Sequence, residues 1–170
     1  HLVLSTLHTN SASGAVPRLL DMGAEAFLLV STIKVIVAQR LVRQLCKDKQ
    51  KYILSKSEME NLSKRLDMGK LLEILKKENV VGPKDTWESI PFYKPVKTPA
   101  CESGYSGRIG IHEILKMSPT VSELVMKGAT AQAIEEQGRQ EGMMTMLEDG
   151  IYKAVRGITT IEEVFRVISE

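Results

Sequence analysis

Strand-like segments lie on both sides of a long lysine-rich stretch, and this order restricts the fold more than any other sequence feature. Residues 1–9 (HLVLSTLHT), 35–45 (VIVAQRLVRQL) and 107–115 (GRIGIHEIL) are rich in β-branched residues and leucine, a composition typical of buried strands. A helix over 33–45 would also be amphipathic, so that alternative stays open, although a strand is preferred. The segments after residue 117 have helical spacing. The sequence therefore predicts a mixed α/β layer followed by an all-helical end.

Two short helices are predicted between the first two strand-like segments. The first tolerates Pro17 in its first turns and is expected to end at Gly23, because glycine adopts the left-handed conformation at little steric cost. Its candidate N-terminal caps are Asn10, Ser11 and Ser13. Its inward-facing residues are expected to be Leu19, Leu20 and Met22. The second helix is predicted over residues 24–32.

Capping residues and glycines delimit four predicted C-terminal helices. Their first two N-terminal caps are Ser118 and Thr130. Pro119 occupies the first helical position, where the missing backbone N–H has no helical partner to lose. Gly142 is expected to end the second helix, and Gly157 the third, which is predicted over 144–155. The sequence Thr159-Thr-Ile-Glu162 matches a capping box for the last helix.

Residues 47–100 differ from the rest of the chain in their lysine and proline content. Ser55-Lys-Ser-Glu58 matches a capping box, and the apolar spacing over 68–77 predicts a further helix. The lysines at 47, 49 and 51 form either a nucleic-acid patch or a solvated surface, and the nearby acidic residues favour the surface. Prolines that predict an extended, loop-rich return are Pro83, Pro91, Pro95 and Pro99.

The composition is that of a globular protein, with 43% hydrophobic and 26% charged residues. The net charge of +2 supplies no strong field for nucleic acid. Apolar runs stay well below the roughly 20 residues of a membrane span. Cys46 and Cys101 are far apart with no regular spacing, so we do not expect a disulfide, and a reducing cytoplasm is the default interpretation.

The strongest local signal of a functional site is Thr6-Leu-His-Thr-Asn10, at the end of the first predicted strand. Ligands of open α/β sheets bind beyond the carboxyl ends of strands. Hydroxyl, imidazole and amide groups there can contact a phosphate or its attacking water. The alternative is a capped turn whose His8 is merely exposed. Chemistry alone favours this alternative, because neither a carboxylate pair nor a phosphate loop accompanies the cluster.

Several segments, in order along the chain, favour a functional site over the capped turn. They resemble the ATPases of type II secretion and type IV pilus assembly, and the resemblance covers the chain except roughly residues 47–99. The segments that resemble the family's His box and the region after it are HLVLSTLHTN, RLLDMG and AQRLVRQLC. Those that resemble its C-terminal helical region are GYSGRIGIHEIL and GMMTMLEDGIYKAVRGITTIEEVFRV.

The resemblance implies a fold and a division of the chain. Members are P-loop ATPases, so an α/β fold is expected, comprising the C-terminal part of a RecA-like sheet followed by an all-helical C-terminal subdomain. Residues 1–46 would be the distal part of the core with the His box, and 101–117 its return strand. Residues 47–100 would be a lineage-specific helical insertion, and 118–170 the helical subdomain.

The resemblance also implies roles for individual residues. His8 would face the γ-phosphate or the attacking water, supported by other His-box residues, namely His1, Thr6, Thr9 and Asn10. Arg18, Arg40 and Arg43 match family arginines that would serve the ring interface or the phosphates, and a plain surface or ion-pair role is the alternative. Arg108 is expected to anchor the helical end to the sheet rather than to act in catalysis.

By the same resemblance, the intact protein would hydrolyse ATP with Mg²⁺ as a hexameric ring. It would lie in the cytoplasm at the inner membrane, against a platform protein, and no nucleic-acid partner is expected. These 170 residues contain no G-x-x-x-x-G-K-[ST] loop, so we expect a fragment that is inactive and mostly monomeric by itself. The alternatives are a DNA-uptake or conjugation motor of the same superfamily and a non-catalytic interaction module.

Many relatives carry a four-cysteine zinc site between the two conserved blocks, which this chain is not expected to retain. Its two C-x-x-C pairs are reduced to Cys46-Lys-Asp-Lys49 and Cys101-Glu-Ser-Gly104, and a closed structural zinc site needs four ligands. The only nearby imidazole, His112, lies in a predicted strand. We therefore expect no zinc and a small helical core instead, formed by Leu62, Leu66, Leu71, Leu75 and Trp87.

Overall fold

The computed structural model describes residues 1–169 and has eight helices and four strands over that range. In its first half these are α1 Ala15–Asp21, α2 Ala26–Thr32, β1 Val35–Leu45, β2 Lys49–Ile53, α3 Lys56–Ser63 and α4 Met68–Lys77. In its second half they are β3 Pro91–Pro95, β4 Tyr105–Lys116, α5 Pro119–Met126, α6 Ala131–Gln140, α7 Met146–Val155 and α8 Ile161–Ile168. The mixed α/β class is confirmed.

The strands form two separate pairs, β1 with β4 and β2 with β3. The second pair is antiparallel, with Lys49 opposite Pro95 and Tyr52 opposite Phe92. The strand preferred over 35–45 is therefore confirmed, and so is the strand over 107–115. The prolines predicted an extended, loop-rich return, and within it Pro91–Pro95 is extended but forms a short β-strand rather than a loop. Both prolines lie at the ends of a short edge strand, where a missing backbone N–H is tolerated.

The strand predicted over residues 1–9 is not formed. This segment has no regular secondary structure, and Leu2 and Leu4 are 91% and 88% exposed. A strand is stable only when its backbone groups find partners and one of its faces is covered. Within 1–169 the structure gives this segment neither.

The chain divides into two compact units, of which the first comprises residues 1–39 and 112–145. Its buried cluster includes Val16 from α1, Leu115 from β4, Val121 from α5 and Ile134 from α6. Helix α1 ends as predicted, with Gly23 at a φ of +90°. Met22 does not face inward, because it caps the helix C-terminus and is 64% exposed. The caps predicted at Ser118 and Thr130 are confirmed.

The second unit comprises residues 40–111 and the chain from residue 146 onward. Its α3 begins at the predicted capping box, since Ser55 N donates to Glu58 Oε2 at 2.7 Å and Ser55 Oγ accepts from Glu58 N. Helix α4 covers the predicted residues 68–77. The four leucines expected to form a helical core are all buried, namely Leu62, Leu66, Leu71 and Leu75. Trp87 is partly buried beside Phe92.

Helix α8 begins one residue later than its sequence motif suggested. Thr160 caps the helix by accepting from Glu163 N at 3.2 Å. Thr159, the cap predicted from sequence, instead donates its hydroxyl to Arg43 O at 2.8 Å. The two threonines are equally able to cap a helix, so tertiary contacts with β1 select between them.

The expectation that Cys46 and Cys101 are unpaired is wrong. They form a disulfide with their Cα atoms 6.7 Å apart, although 55 positions separate them in sequence. Folding brings the two ends of the 47–100 segment together, through the β2–β3 pair and through Cys46 N, which donates to Gly104 O at 3.0 Å. Sequence spacing gave no sign of this pairing.

Candidate functional site

The five His-box residues precede α1 in an extended segment without regular structure. His1, Thr6, His8 and Asn10 are exposed, whereas Thr9 is partly buried and donates its hydroxyl to Ser11 O at 3.0 Å. The imidazole of His8 is thus accessible to a ligand. No helix or strand of the first unit includes any of these five residues.

A buried carboxylate fixes the chain immediately after the His box. Glu113, on β4, is 4% exposed and accepts a hydrogen bond from Ala12 N at 2.8 Å. Ala12 itself is fully buried. Since leaving a buried polar group without its hydrogen bond costs free energy, the bond between Ala12 and Glu113 holds the polar segment in a defined position against the strand. The sequence analysis missed Glu113, because a single carboxylate in a strand that carries other polar residues gives no sign of a tertiary partner.

The three candidate arginines have different environments. Arg18 is exposed in the last turn of α1. Arg40 is partly buried in β1. Arg43, also on β1, donates from Nη2 to Glu163 Oε1 at 2.5 Å, and its guanidinium lies 4.2 Å from the ring centre of Tyr105. Arg43 thus forms an ion pair, one of the two roles considered for these arginines, and the roles of Arg18 and Arg40 stay predictions.

Glu163 is the centre of a charged cluster in the second unit. Its side chain is 3% exposed and accepts from both Arg43 and Arg166. Burial by itself would raise the pKa of this carboxyl, but the hydrogen bonds from Arg166 and Arg43 outweigh burial and lower the pKa from 4.5 to about 2. The same bond from Glu163 raises the pKa of Arg43. The cluster joins α8 to β1 and leaves Glu163 permanently ionised near neutral pH.

Arg108 lies on β4 directly after Gly107, and it is exposed. The Gly-Arg-Ile-Gly motif instead accepts a hydrogen bond from Lys153 of α7, whose Nζ donates to Gly110 O at 2.8 Å. The same Nζ donates to Asp149 Oδ2 at 2.5 Å. Lys153 was not identified from sequence, because a single lysine on a helix gives no sign of a tertiary partner. The anchoring role of Arg108 stays a prediction.

Comparison with known proteins identifies the chain. The sequence profile described as "Type II/IV secretion system protein" matches residues 1–166. The chain belongs to this family. It is 45% identical over its whole length to the type II secretion system protein E of Xanthomonas campestris, of which it covers 27%. It is also 41% identical to the type II secretion system ATPase E of Vibrio cholerae, covering all of this chain and 30% of that relative.

A pilus protein is also among the relatives of this secretion-family chain. The type IV pilus assembly ATPase PilB of Pseudomonas aeruginosa is 38% identical over all 170 residues, which cover 27% of that protein. The chain thus spans between a quarter and a third of the length of these relatives. The resemblance of its segments to secretion and pilus ATPases is confirmed.

The structure of this family member gives no metal centre between residues 1 and 169, where no group of three or more histidine, cysteine or acidic side chains has a geometry suited to a metal. Both cysteines are committed to the disulfide. His112 is partly buried in β4. Over the same residues, none of the helices is long and apolar enough to cross a membrane.

Proposed function

We propose that this chain is part of an ATPase motor that couples ATP hydrolysis to type II protein secretion or type IV pilus assembly. The observation that carries the proposal is the family match over residues 1–166, which includes the His box. Relatives named as secretion and pilus ATPases align over the whole chain, at 41% and 38% identity. Because the chain covers under a third of them, the motor activity is proposed for the intact protein.

The same proposal assigns the segments their places in a RecA-like motor. Residues 1–46 and 101–117 belong to the core sheet, 118–170 to the helical C-terminal subdomain, and 47–100 to an insertion in place of a zinc-binding knuckle. The disulfide and the β2–β3 pair support the insertion, since they bring its two ends together. The helical subdomain has its α5 and α6 in the first compact unit and its α7 and α8 in the second.

In this motor, His8 would contact the terminal phosphate of ATP or the attacking water. Its exposure supports that role, as does the Glu113 bond that fixes the chain four residues later. The hydroxyl and amide groups of Thr6, Thr9 and Asn10 suit hydrogen bonds to phosphate oxygens. These groups fit the phosphate side of the nucleotide, whereas Mg²⁺ is held mainly by carboxylate and phosphate oxygens. Bound ATP and Mg²⁺ supply the reactive phosphoryl group and the charge that neutralises it.

The proposal also covers the roles of three arginines and the assembly of the intact protein. Arg18 and Arg40 are candidates for the phosphates or the ring interface, and Arg43 is a less favourable one, because its guanidinium already pairs with Glu163. We propose that the intact protein acts as a hexameric ring on the cytoplasmic face of the inner membrane, against a platform protein.

The test is phosphate release by the purified full-length protein carrying His8→Ala. We expect hydrolysis to fall by about 10²-fold or more while nucleotide affinity changes little, because the lost interaction is made mainly in the transition state. Lys51→Ala, which removes an exposed side chain from β2 in the 47–100 segment, is the control and should hydrolyse ATP normally.

An unchanged rate in His8→Ala would return His8 to the exposed-turn alternative. If the unmodified full-length protein neither bound nor hydrolysed ATP, the motor proposal itself would fail in favour of a non-catalytic interaction module.

A further inference from the structure

A buried carboxyl group occupies a core position of β4 in the first compact unit. Glu113 is 4% exposed and lies two residues before Leu115, which is 1% exposed, so both side chains are on the inward face of the strand. It is the only buried acidic residue among positions 1–39 and 112–145, all of which the structure describes. A polar group at such a position costs free energy unless it is hydrogen-bonded. Packing alone would favour an apolar residue here, so the carboxyl group indicates a specific polar partner.

That partner is the backbone of the segment between the His box and α1. Ala12 N donates to Glu113 Oε1 at 2.8 Å, across 101 positions of sequence. Ala12 is fully buried and Ser13 is 1% exposed, so solvent does not readily replace this bond. The bond is thus a fixed attachment point for a chain segment that belongs to no strand.

Short-range hydrogen bonds connect this attachment point to His8. Thr9 donates its hydroxyl to Ser11 O at 3.0 Å, and Ser11 Oγ accepts from Gly14 N at 3.0 Å. These bonds make a turn out of the residues that lead into α1. His8 itself lies in no helix or strand. The position of its imidazole therefore depends on the turn that Glu113 anchors.

We infer that Glu113 is a positioning residue for His8. The inference rests on the proposed function, in which the imidazole of His8 contacts the terminal phosphate or the attacking water. Glu113 acts through the backbone of Ala12 and does not itself contact the nucleotide. Catalytic side chains must be held close to their productive geometry, and a displacement of about 1 Å can lower turnover by about 10²-fold. Loss of the bond should therefore slow hydrolysis without removing any group that binds ATP.

Three substitutions of Glu113 separate the hydrogen bond from the carboxyl group. Glu113→Ala removes the acceptor, Glu113→Asp keeps a carboxyl group on a side chain too short to reach Ala12 N, and Glu113→Gln keeps an acceptor oxygen of the same reach. In the full-length protein, kcat for ATP hydrolysis should fall by about tenfold or more in the alanine and aspartate variants. KM for ATP should change by less than about twofold. The glutamine variant should retain most of the parent turnover.

Hydrogen exchange measures the same bond without ATP. The Ala12 amide is buried and bonded, so it should exchange slowly, and at least about tenfold faster in Glu113→Ala and Glu113→Asp. Glu148→Ala is the matched control, because it removes another buried carboxyl group, 2% exposed, from α7 in the second unit. This control should leave the Ala12 exchange rate and kcat near the parent values. Circular dichroism checks folding, and Glu113→Asp supplies the comparison if Glu113→Ala does not fold.

A double variant tests whether Glu113 acts through His8. A positioning residue works only through the group that it positions. Glu113→Asp should therefore lower kcat in the parent protein, but change it by less than about twofold when His8→Ala is already present. Multiplicative effects of the two substitutions would show that Glu113 affects hydrolysis by another route, and the inference would be overturned.

The remaining outcomes separate this inference from the proposed function. Slow hydrolysis in His8→Ala, with a normal kcat in folded Glu113→Ala and Glu113→Asp, would overturn the inference and leave the role of His8 intact. An Ala12 exchange rate unchanged in Glu113→Ala would show that the bond does not hold the turn, and would overturn it as well. An unchanged rate in His8→Ala would remove the proposed role of His8 and the inference with it, because no catalytic group would be left to position.

Discussion

Glu163 shows how much of the second unit depends on one side chain. Its carboxylate is buried and accepts from Arg43 Nη2, from the backbone N–H of Arg43 at 3.0 Å, and from Arg166. The same residue follows Thr160 as the third residue of α8, whose N-terminus favours negative charge. Removing the charge would leave Arg43 of β1 and Arg166 of α8 without the carboxylate that they share.

The substitution Glu163→Gln should lower the free energy of unfolding by about 1–3 kcal/mol at pH 7, the scale of buried hydrogen bonds to charged groups. Chemical denaturation of the chain measures this change. Glu162→Gln, its exposed neighbour on α8, is the control and should change stability by less than about 0.5 kcal/mol.

The pKa of Glu163 sets the pH dependence of that penalty. The folded pKa of about 2 lies below the ordinary 4.5, so the stabilisation is fully present above pH 4.5 and is lost as the pH falls towards 2. The difference between the parent chain and Glu163→Gln should therefore shrink between about pH 5 and pH 2. A difference that is constant over this range would show that the carboxylate charge does not matter.

At the scale of elements, α7 and α8 approach each other closely at a glycine. A Cβ built on Gly150 would lie 2.5 Å from Val164 Cγ1, a distance that side-chain atoms do not tolerate. Both residues are buried, and Val164 is fully so. The glycine therefore costs helix propensity in α7 but permits the two helices to pack.

Gly150→Ala should destabilise the chain by about 1–3 kcal/mol, because overpacking outweighs the gain in helix propensity of about 1 kcal/mol. The double variant Gly150→Ala/Val164→Ala should be more stable than the sum of the two single changes predicts, since truncating the valine leaves room for the new methyl group. A double-mutant cycle tests this, in which thermal unfolding is measured for the parent chain, the two single variants and the double variant. Strict additivity would mean that the two side chains do not meet.

At the scale of the whole molecule, the disulfide closes the 47–100 segment into a loop. Joining positions 55 apart removes many conformations from the unfolded chain, so it stabilises the folded state. Cys46→Ser should lower the free energy of unfolding by about 2–4 kcal/mol, and Cys101→Ser by the same amount. A reducing agent should destabilise the parent chain equally and leave both variants unchanged. If the variants differed markedly from one another, side-chain packing rather than loop closure would be the cause.

The sequence predicted the local features of this protein well. Ser55 with Glu58, Ser118 and Thr130 marked helix starts, and Gly23 marked a helix end, because a cap depends on side-chain and backbone groups within four residues. The two strands around the lysine-rich segment followed from their β-branched residues. Family membership was equally evident from sequence, since several matching segments in order carry it whether or not the fold is known.

Only the tertiary structure decided which distant residues meet. Cys46 pairs with Cys101, Glu163 holds Arg43, Lys153 reaches Gly110, and Thr160 replaces Thr159 as a cap, all through contacts that no short window of sequence contains. The strand prediction for residues 1–9 was wrong for the same reason, because a strand needs hydrogen-bonded partners as well as a suitable composition. Local chemistry therefore determined where most helices and strands begin and end, and long-range packing determined what their side chains do.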